Sequence, residues 1–559
     1  GAINIVSGDR YSNYLDASYS FGSFNTHRSV INTAATTKNG FTVQINGFQN
    51  YSDNNYKVRF SANDGASGVF GEERTFRRFN DTYHNETVIA NIGLVDKPFA
   101  DKLLLGLTAG KNYKEIQTGA RMISVFGHVH RRGNILMPTL KYKKADLIKG
   151  LDLTINGNYN FGYEQNIDTV NLRYDWYKGT TPTTNGERSN RTLAKYWNNN
   201  GLATATLNYR LNEEHSIALN NVFNTFNRKA KDELNPSSAE NERRKIINKN
   251  ILGLGYTYNI RDKWSTSVFG KYIHQHTVNG PDRAGQPPMN KIGYGAAVSY
   301  FFNPNLQLRT SYELTNRLAD ASETFGDLEN LEGNPNLKPE KSDNFNLGIN
   351  YSFALNKNHQ FAVNANGIYR YSTNFIFTRL NQNQSRLILD NKSGVTTWGA
   401  DAEIRYSYKN WLSAGSTLTY QFLRNLQKIE PEYSQTAISP TYLAQMPNIP
   451  YLFGNGDITL SFRDIGKKGN NLSVGYNLLY VHDFWLYWPI FGSKDDSKYV
   501  VPEQFAHDLN VVYSLSNGRY NLGIEAKNIT DEILYDNFSL QKPSRGFYVN
   551  LRYFLHKNH

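Results

Sequence analysis

Cysteine is missing from all 559 residues. Disulfides, thiolate metal sites and a cysteine nucleophile are therefore excluded, whatever the compartment. Long hydrophobic runs are missing too. Apolar clusters such as Leu103-Leu104-Leu105 are short, and nothing approaches the ~18 consecutive apolar residues of a membrane helix. No convincing helical stripe runs over any long window. The sequence shows no Ser–His–Asp spacing, paired-carboxylate motif, Walker loop or dinucleotide fingerprint, so no enzyme is indicated and no cofactor is expected. The basic residues are dispersed, without a long tract or basic helix, which argues against nucleic acid despite the net charge of +12.

Aromatic residues are abundant: 38 Tyr, 31 Phe and 7 Trp make up 14% of the chain. An apolar ring with a polar tip suits a boundary between water and lipid. A large water-soluble β-protein also favours aromatics, so composition leaves both classes open. Hydrophobic residues are 39% of the chain and the mean hydropathy is −0.59. A chain this polar can still span a membrane, because a closed barrel needs apolar residues only at alternate positions over ~10 residues per strand.

That alternation recurs throughout. Phe41, Val43 and Ile45 alternate with Thr42, Gln44 and Asn46. Leu151, Leu153 and Ile155 follow the same rule, as do Ile458, Leu460 and Phe462. So do Leu472 to Tyr480, Leu509 to Leu515, Tyr520 to Ala526 and Phe547 to Leu555. Each set presents one apolar and one polar face. Tight Asn/Gly turns, such as Lys38-Asn39-Gly40, Asn303-Pro304-Asn305, Asn356-Lys357-Asn358 and Asn517-Gly518, alternate with long polar loops. The long loops fall near 52–84, 118–134, 168–200, 229–245, 278–290, 318–342, 380–393, 427–447, 489–504 and 536–545. Counting from Tyr14, with a short first loop near Gly22, the rhythm predicts eleven loops, ten turns and 22 strands. An even strand number with short turns on one rim and long loops on the other is the plan of an outer-membrane barrel. The expected fold is an all-β, 22-stranded antiparallel transmembrane barrel.

Several segments then resemble one family. Glu332-Gly333-Asn334-Pro335-Asn336-Leu337-Lys338-Pro339-Glu340-Lys341-Ser342, running into the strand Phe345 to Tyr351, is similar to a signature of TonB-dependent outer-membrane receptors. Gly394 to Tyr408 resembles a mid-barrel strand of that family, and Met446 to Tyr451 a loop re-entering a later strand. Ala526 to Phe538 resembles the penultimate strand, and Pro543 to Tyr553 the terminal one. Gly1 to Val6 resembles the last strand of the N-terminal plug. The resemblance implies residues 1–10 as the end of a plug domain with its linker, and 11–559 as the receptor barrel. The chain therefore reads as starting mid-protein, with the rest of the plug and the TonB-contacting segment before it. At the C-terminus Leu555 holds the outward register, where the family usually places an aromatic, and Phe554 falls inward.

Cargo-contact candidates follow from side-chain chemistry. Arg74, Arg77 and Arg78 fall in the second loop, and arginine forks suit carboxylate, phosphate or catecholate oxygens. His128, His130, Arg131 and Arg132 fall in the third loop. His274 and His276 sit near the top of a strand, where an HxH pair places both imidazoles on one face, suited to haem iron or a metal complex. No third ligand is fixed by spacing. Each group also has the ordinary reading of a solvated loop. Trp485, Tyr487 and Trp488 read as part of the outer aromatic girdle.

The family resemblance implies uptake of a scarce solute across the outer membrane of a Gram-negative bacterium. Energy would come through TonB-ExbB-ExbD, and a ferric siderophore or haem is the first expectation for cargo. Cobalamin, glycan or peptide cargo, a structural scaffold barrel and a passive porin are the alternatives. Outer-membrane lipid and lipopolysaccharide are expected partners. The loop style resembles that of Bacteroidota systems, in which a surface lipoprotein can cap the barrel.

Overall fold

The structure, a computed structural model, describes residues 11–64, 67–188, 190–280, 287–381, 385–430, 434–492 and 499–557. Residues 1–10, expected to end a plug domain, lie outside them. One 22-stranded antiparallel sheet contains the barrel strands, each bonded to its sequence neighbours. It closes where Asn13–Gly22 pairs with Gly546–Lys557 in the register Tyr19↔Leu551. Closure leaves no unpaired edge, so within the ring each strand has a partner on both sides for its N–H and C=O groups without water.

The strands run from 8 residues at Tyr520–Lys527 to 22 at His359–Leu380 and Leu387–Tyr408. The longest exceed the ~9–11 residues that a tilted strand needs to cross a bilayer. Along each strand one parity carries exposed apolar side chains: Leu105 and Leu107, Phe161, Leu252 and Leu254, Phe345, Leu347 and Ile349. The other parity carries paired charges and amides. Lys271 meets Glu313 at 2.6 Å, Arg405 meets Asp457 at 2.9 Å and Arg552 meets Asp16 at 2.7 Å. The first face suits lipid and the second a wet lumen. No helix is long and apolar enough to cross a membrane.

The rhythm of connections matches the sequence expectation: eleven loops on one rim and ten turns on the other, among the described residues. Positive φ values at Ser516, Asn517 and Gly518 (53°, 57° and 82°) build one of the tight turns. Boundaries moved where strands outrun the membrane. The predicted loop 118–134 ends earlier, because a strand already begins at His130. The loop predicted near 536–545 begins sooner, because the penultimate strand stops at Lys527. There the Asn528 side chain closes a turn, accepting from the Glu532 N–H at 3.0 Å and donating to its carbonyl at 2.8 Å.

The conventional core of the molecule lies above the membrane, in the loops. Tyr56, Val58, Phe76, Met122 and Trp176 come from three loops and pack into one apolar cluster.

Candidate ligand-binding site

The loop that carries the Gly333-Asn334-Pro335 signature organises the barrel mouth. After the strand Leu306–Arg317 it forms the short helix Ala321–Phe325. Asp320 caps this helix, and Glu323 completes a reciprocal capping box. Gly326, at φ 84°, ends it. The Asp327 carboxylate then accepts the N–H groups of Glu329, Asn330 and Leu331 at 2.8, 3.0 and 2.9 Å, holding a tight turn. Gly333 is required by space: a Cβ there would stand 2.3 Å from the Gly326 nitrogen.

This loop folds inward across the lumen. Phe325 stacks on Phe226 with ring centroids 6.0 Å apart. Buried Arg228 donates to the Gly326 carbonyl at 3.0 Å, and Asn166 donates to that of Leu328 at 2.8 Å. Glu329 reaches Lys114 at 2.5 Å. On the other side Leu331 bridges Leu387, and Asn334 donates to the Leu389 carbonyl at 2.9 Å.

Beside the folded loop lies a polar cavity of about 740 Å³, walled by the tops of strands and by four loops. That volume is within the usual range for small-molecule sites. Its carboxylates are largely occupied. Glu240 holds Arg243 at 2.9 Å and Lys245 at 2.7 Å. Asp232 accepts from Thr192 Oγ1 and Asn235 Nδ2, both at 2.8 Å. Arg188, Arg191 and Arg386 have no ion pair among the described residues. Burial, and then the charge of Arg386, pushes Arg188 below the usual guanidinium range. Asn166 Oδ1, Asn279 Oδ1, Asn330 Oδ1 and Arg191 Nε are buried there without a hydrogen-bond partner. Such groups carry a desolvation cost of roughly 1–3 kcal/mol each, which a polar ligand would relieve. The wall thus offers guanidinium donors and amide acceptors toward one volume.

Of the residues singled out from sequence, Arg131 lies nearest this wall. It faces the lumen, pairs with Glu164 and stands opposite Asn166 in register. The others lie elsewhere. His130 and Arg132 alternate with it and point outward. Arg132 is held by Gln165 Oε1 at 2.8 Å. His128 is exposed in the loop, its ring 5.5 Å from that of Tyr174. His274 and His276 do share a face, but it is the face of exposed Val268 and Tyr272. They therefore point away from the lumen, and His274 bonds to Asn290 at 2.8 Å. Arg74 and Arg77 are exposed on a hairpin of the second loop. Arg78 is buried, paired with Asp81 at 2.8 Å and set over the Tyr56 ring.

Trp485, Tyr487 and Trp488, read from sequence as girdle residues, lie in the loop between the strands Asn471–Val481 and Gln504–Leu515. Trp488 packs against Phe377, Val395, Leu423 and Met446, and Tyr487 accepts from Arg121 of another loop at 3.0 Å. Trp485 belongs to a two-residue pairing with Val500 in the same loop. Arg188, Arg191, Arg243, Lys245 and Arg386 were missed. All lie in or beside predicted long loops, where a basic residue looks the same whether solvated or converging on a site. Among the described residues no group of three or more His, Asp or Glu is placed to hold a metal ion.

Comparison with known proteins agrees with this architecture. Residues 129–529 match the family model described as "TonB dependent receptor-like, beta-barrel". No curated protein sequence matches. Among solved structures, the chain is similar to the copper transporter OprC (TM-score 0.71, 14% identity, covering 98% of this chain and 82% of that one). It is also similar to the siderophore receptor PiuA from Acinetobacter baumannii (0.69, 12%, 98% and 82%). The FrpB iron transporter from Neisseria meningitidis is a third such structure (0.68, 12%, 98% and 81%). At these identities the likeness is one of fold.

Proposed function

Since the chain belongs to the TonB-dependent receptor β-barrel family, whose members sit in the Gram-negative outer membrane, we propose that it imports a scarce anionic chelate, with a ferric siderophore or haem as first choice. The observation that carries this reading is the cavity beside the inward-folded loop, where Arg188, Arg191 and Arg386 meet buried, unpartnered amide oxygens. Arginine forks bind carboxylate and catecholate oxygens in pairs, and unpaired amide oxygens take up hydroxyl or amide hydrogens of the same ligand. The likeness to siderophore and iron receptors supports the reading at the level of fold. Transport would need the N-terminal plug that residues 1–10 are proposed to end, and energy delivered through TonB-ExbB-ExbD.

The test is cargo binding by the full-length receptor, paired with growth of a deletion strain on single iron sources. One chelate should bind far more tightly than its iron-free form, and its use should stop on deletion. Arg191→Ala and Arg386→Ala should each weaken binding by roughly tenfold, the loss of one charge-assisted contact worth about 1.5 kcal/mol. Unchanged growth on every iron source would overturn the iron reading. Binding of an oligosaccharide, peptide or cobalamin at the same arginines would move the cargo to that class.

A further inference from the structure

Outside the barrel, at the height where the lipid-facing band ends, the wall is strongly cationic over three adjacent strands. Thr192–Arg210, His215–Asp232 and Arg244–Ile260 are neighbours in the sheet. Their inward parity is fixed by Arg228, bonded to the inward loop, and by Lys245, which lines the inner cavity. Lys229, Lys231 and Arg244 occupy the opposite parity and are exposed. Lys195 and Trp197 join them, in register with Lys231 and Lys229. A shallow groove of about 460 Å³ runs between Trp197, Lys229, Lys231 and Arg244. Below it on the same strands lie exposed Phe223, Leu219, Leu252 and Leu254.

The acids nearby do not cancel this charge. Glu233 is already bound to Lys195 at 2.6 Å. Asp232 and Glu242 also line the groove; the Asp232 carboxylate is taken up by Thr192 and Asn235, which leaves Glu242 set against Lys229, Lys231 and Arg244. On the next strand, Trp264–Gly280, the outward positions opposite Arg244 and Ile246 are Gly280 and Val278, so among the described residues the cations form a local patch.

We propose that this patch binds a phosphorylated, multiply acylated lipid of the outer leaflet, independently of the cargo site. Its phosphates would sit on Lys229, Lys231 and Arg244. Its sugar or glycerol would lie on the Trp197 ring, and its acyl chains would run down over Phe223, Leu252 and Leu254. Charge at the headgroup level directly above an apolar wall fits an amphiphile and fits no soluble anion as well.

Receptor extracted in detergent from outer membranes is titrated, by native mass spectrometry, with a diphosphorylated acylated glucosamine disaccharide and with the same lipid stripped of both phosphates. The phosphorylated lipid should bind more tightly, and its affinity should fall with added salt. Neutralising cations one at a time (Lys229→Gln, Lys231→Gln, Arg244→Gln) should cost about fivefold each. Exchanging them for the other cation (Lys229→Arg, Arg244→Lys) should cost little, which separates a charge role from a fold role. Equal affinity for the stripped lipid, or full binding by the triple glutamine variant, would overturn the proposal. So would displacement of the lipid by an equal concentration of inorganic phosphate, which would mark a soluble-anion site.

Discussion

Lys114 and Glu329, 215 positions apart in the chain, meet at 2.5 Å across the mouth of the barrel. One belongs to the strand Ala100–Glu115, the other to the loop that starts after Arg317 on the far side. The pair shows that this loop spans the lumen. Both partners are partly exposed, so the ion pair itself contributes only ~0–1 kcal/mol. Removing it with Lys114→Ala should speed amide exchange at 327–331 by a few-fold while leaving barrel unfolding unchanged.

Arg228 carries more of the load. Its guanidinium is buried, donating to Asn198 Oδ1 at 2.7 Å and to the Gly326 carbonyl at 3.0 Å. Arg228→Ala leaves both acceptors unpaired, a local cost of about 1.5–3 kcal/mol for hydrogen bonds to a charged group. The expected result is protease cleavage within 318–339 in a barrel that still migrates as folded in unheated gels. Resistance equal to wild type would mean that the loop is held by its other contacts.

Gly333→Ala tests the signature turn. The added Cβ would lie 2.3 Å from the Gly326 nitrogen and 2.4 Å from the Phe325 carbonyl carbon, both backbone atoms. Overpacking of about 1–3 kcal/mol should force the two loop arms apart. Cargo affinity should drop with the barrel intact; unaltered affinity would remove this loop from the binding site.

Glu187 predicts a pH dependence. Burial, together with the charge of Asp168, pushes its carboxyl up to about 7, although the Gly127 and His128 N–H groups donate to it. A carboxyl raised on folding contributes its full share of stability below about 4.5, its ordinary value, and loses it as pH rises through about 7. The loss amounts to roughly 3 kcal/mol at most. Amide protection in 116–129, taken relative to the intrinsic base-catalysed exchange rate at each pH, should therefore be weaker at pH 8 than at pH 5, and Glu187→Gln should flatten that difference. A flat wild-type profile would contradict it.

The two barrel faces can be told apart by charge. Leu254 is 57% exposed on the outward parity, and Leu254→Arg should destabilise the barrel in bilayers by about 2–4 kcal/mol near the midplane. Gly253 points the other way, with nothing closer to an added Cβ than carbonyl oxygens at 3.9 Å. Gly253→Arg should cost far less. Equal costs, measured by denaturant unfolding in vesicles, would mean that the faces are misassigned.

The sequence by itself determined the barrel. Alternation such as Phe345, Leu347 and Ile349 against Asn344, Asn346 and Gly348 reports which side of a strand meets lipid, because the side-chain period is two and the bilayer is a uniform solvent. Turn residues such as Asn356 and Asn517-Gly518 mark the short rim, since positive φ is a local requirement. The strand count and the family likeness both follow from such local signals. The tertiary structure alone decided the mouth. Arg191, Arg386, Asn166 and Asn330 converge through loop paths with no period to read, and Trp488 packs on Phe377 and Met446, which come from distant segments of the chain. His274 and His276 share a face, as strand geometry requires, but which way that face points was set by the strand's place in the closed barrel. Local periodicity specifies faces and turns. Convergence of distant side chains is a property of the closed ring and of the loops that fold back into it.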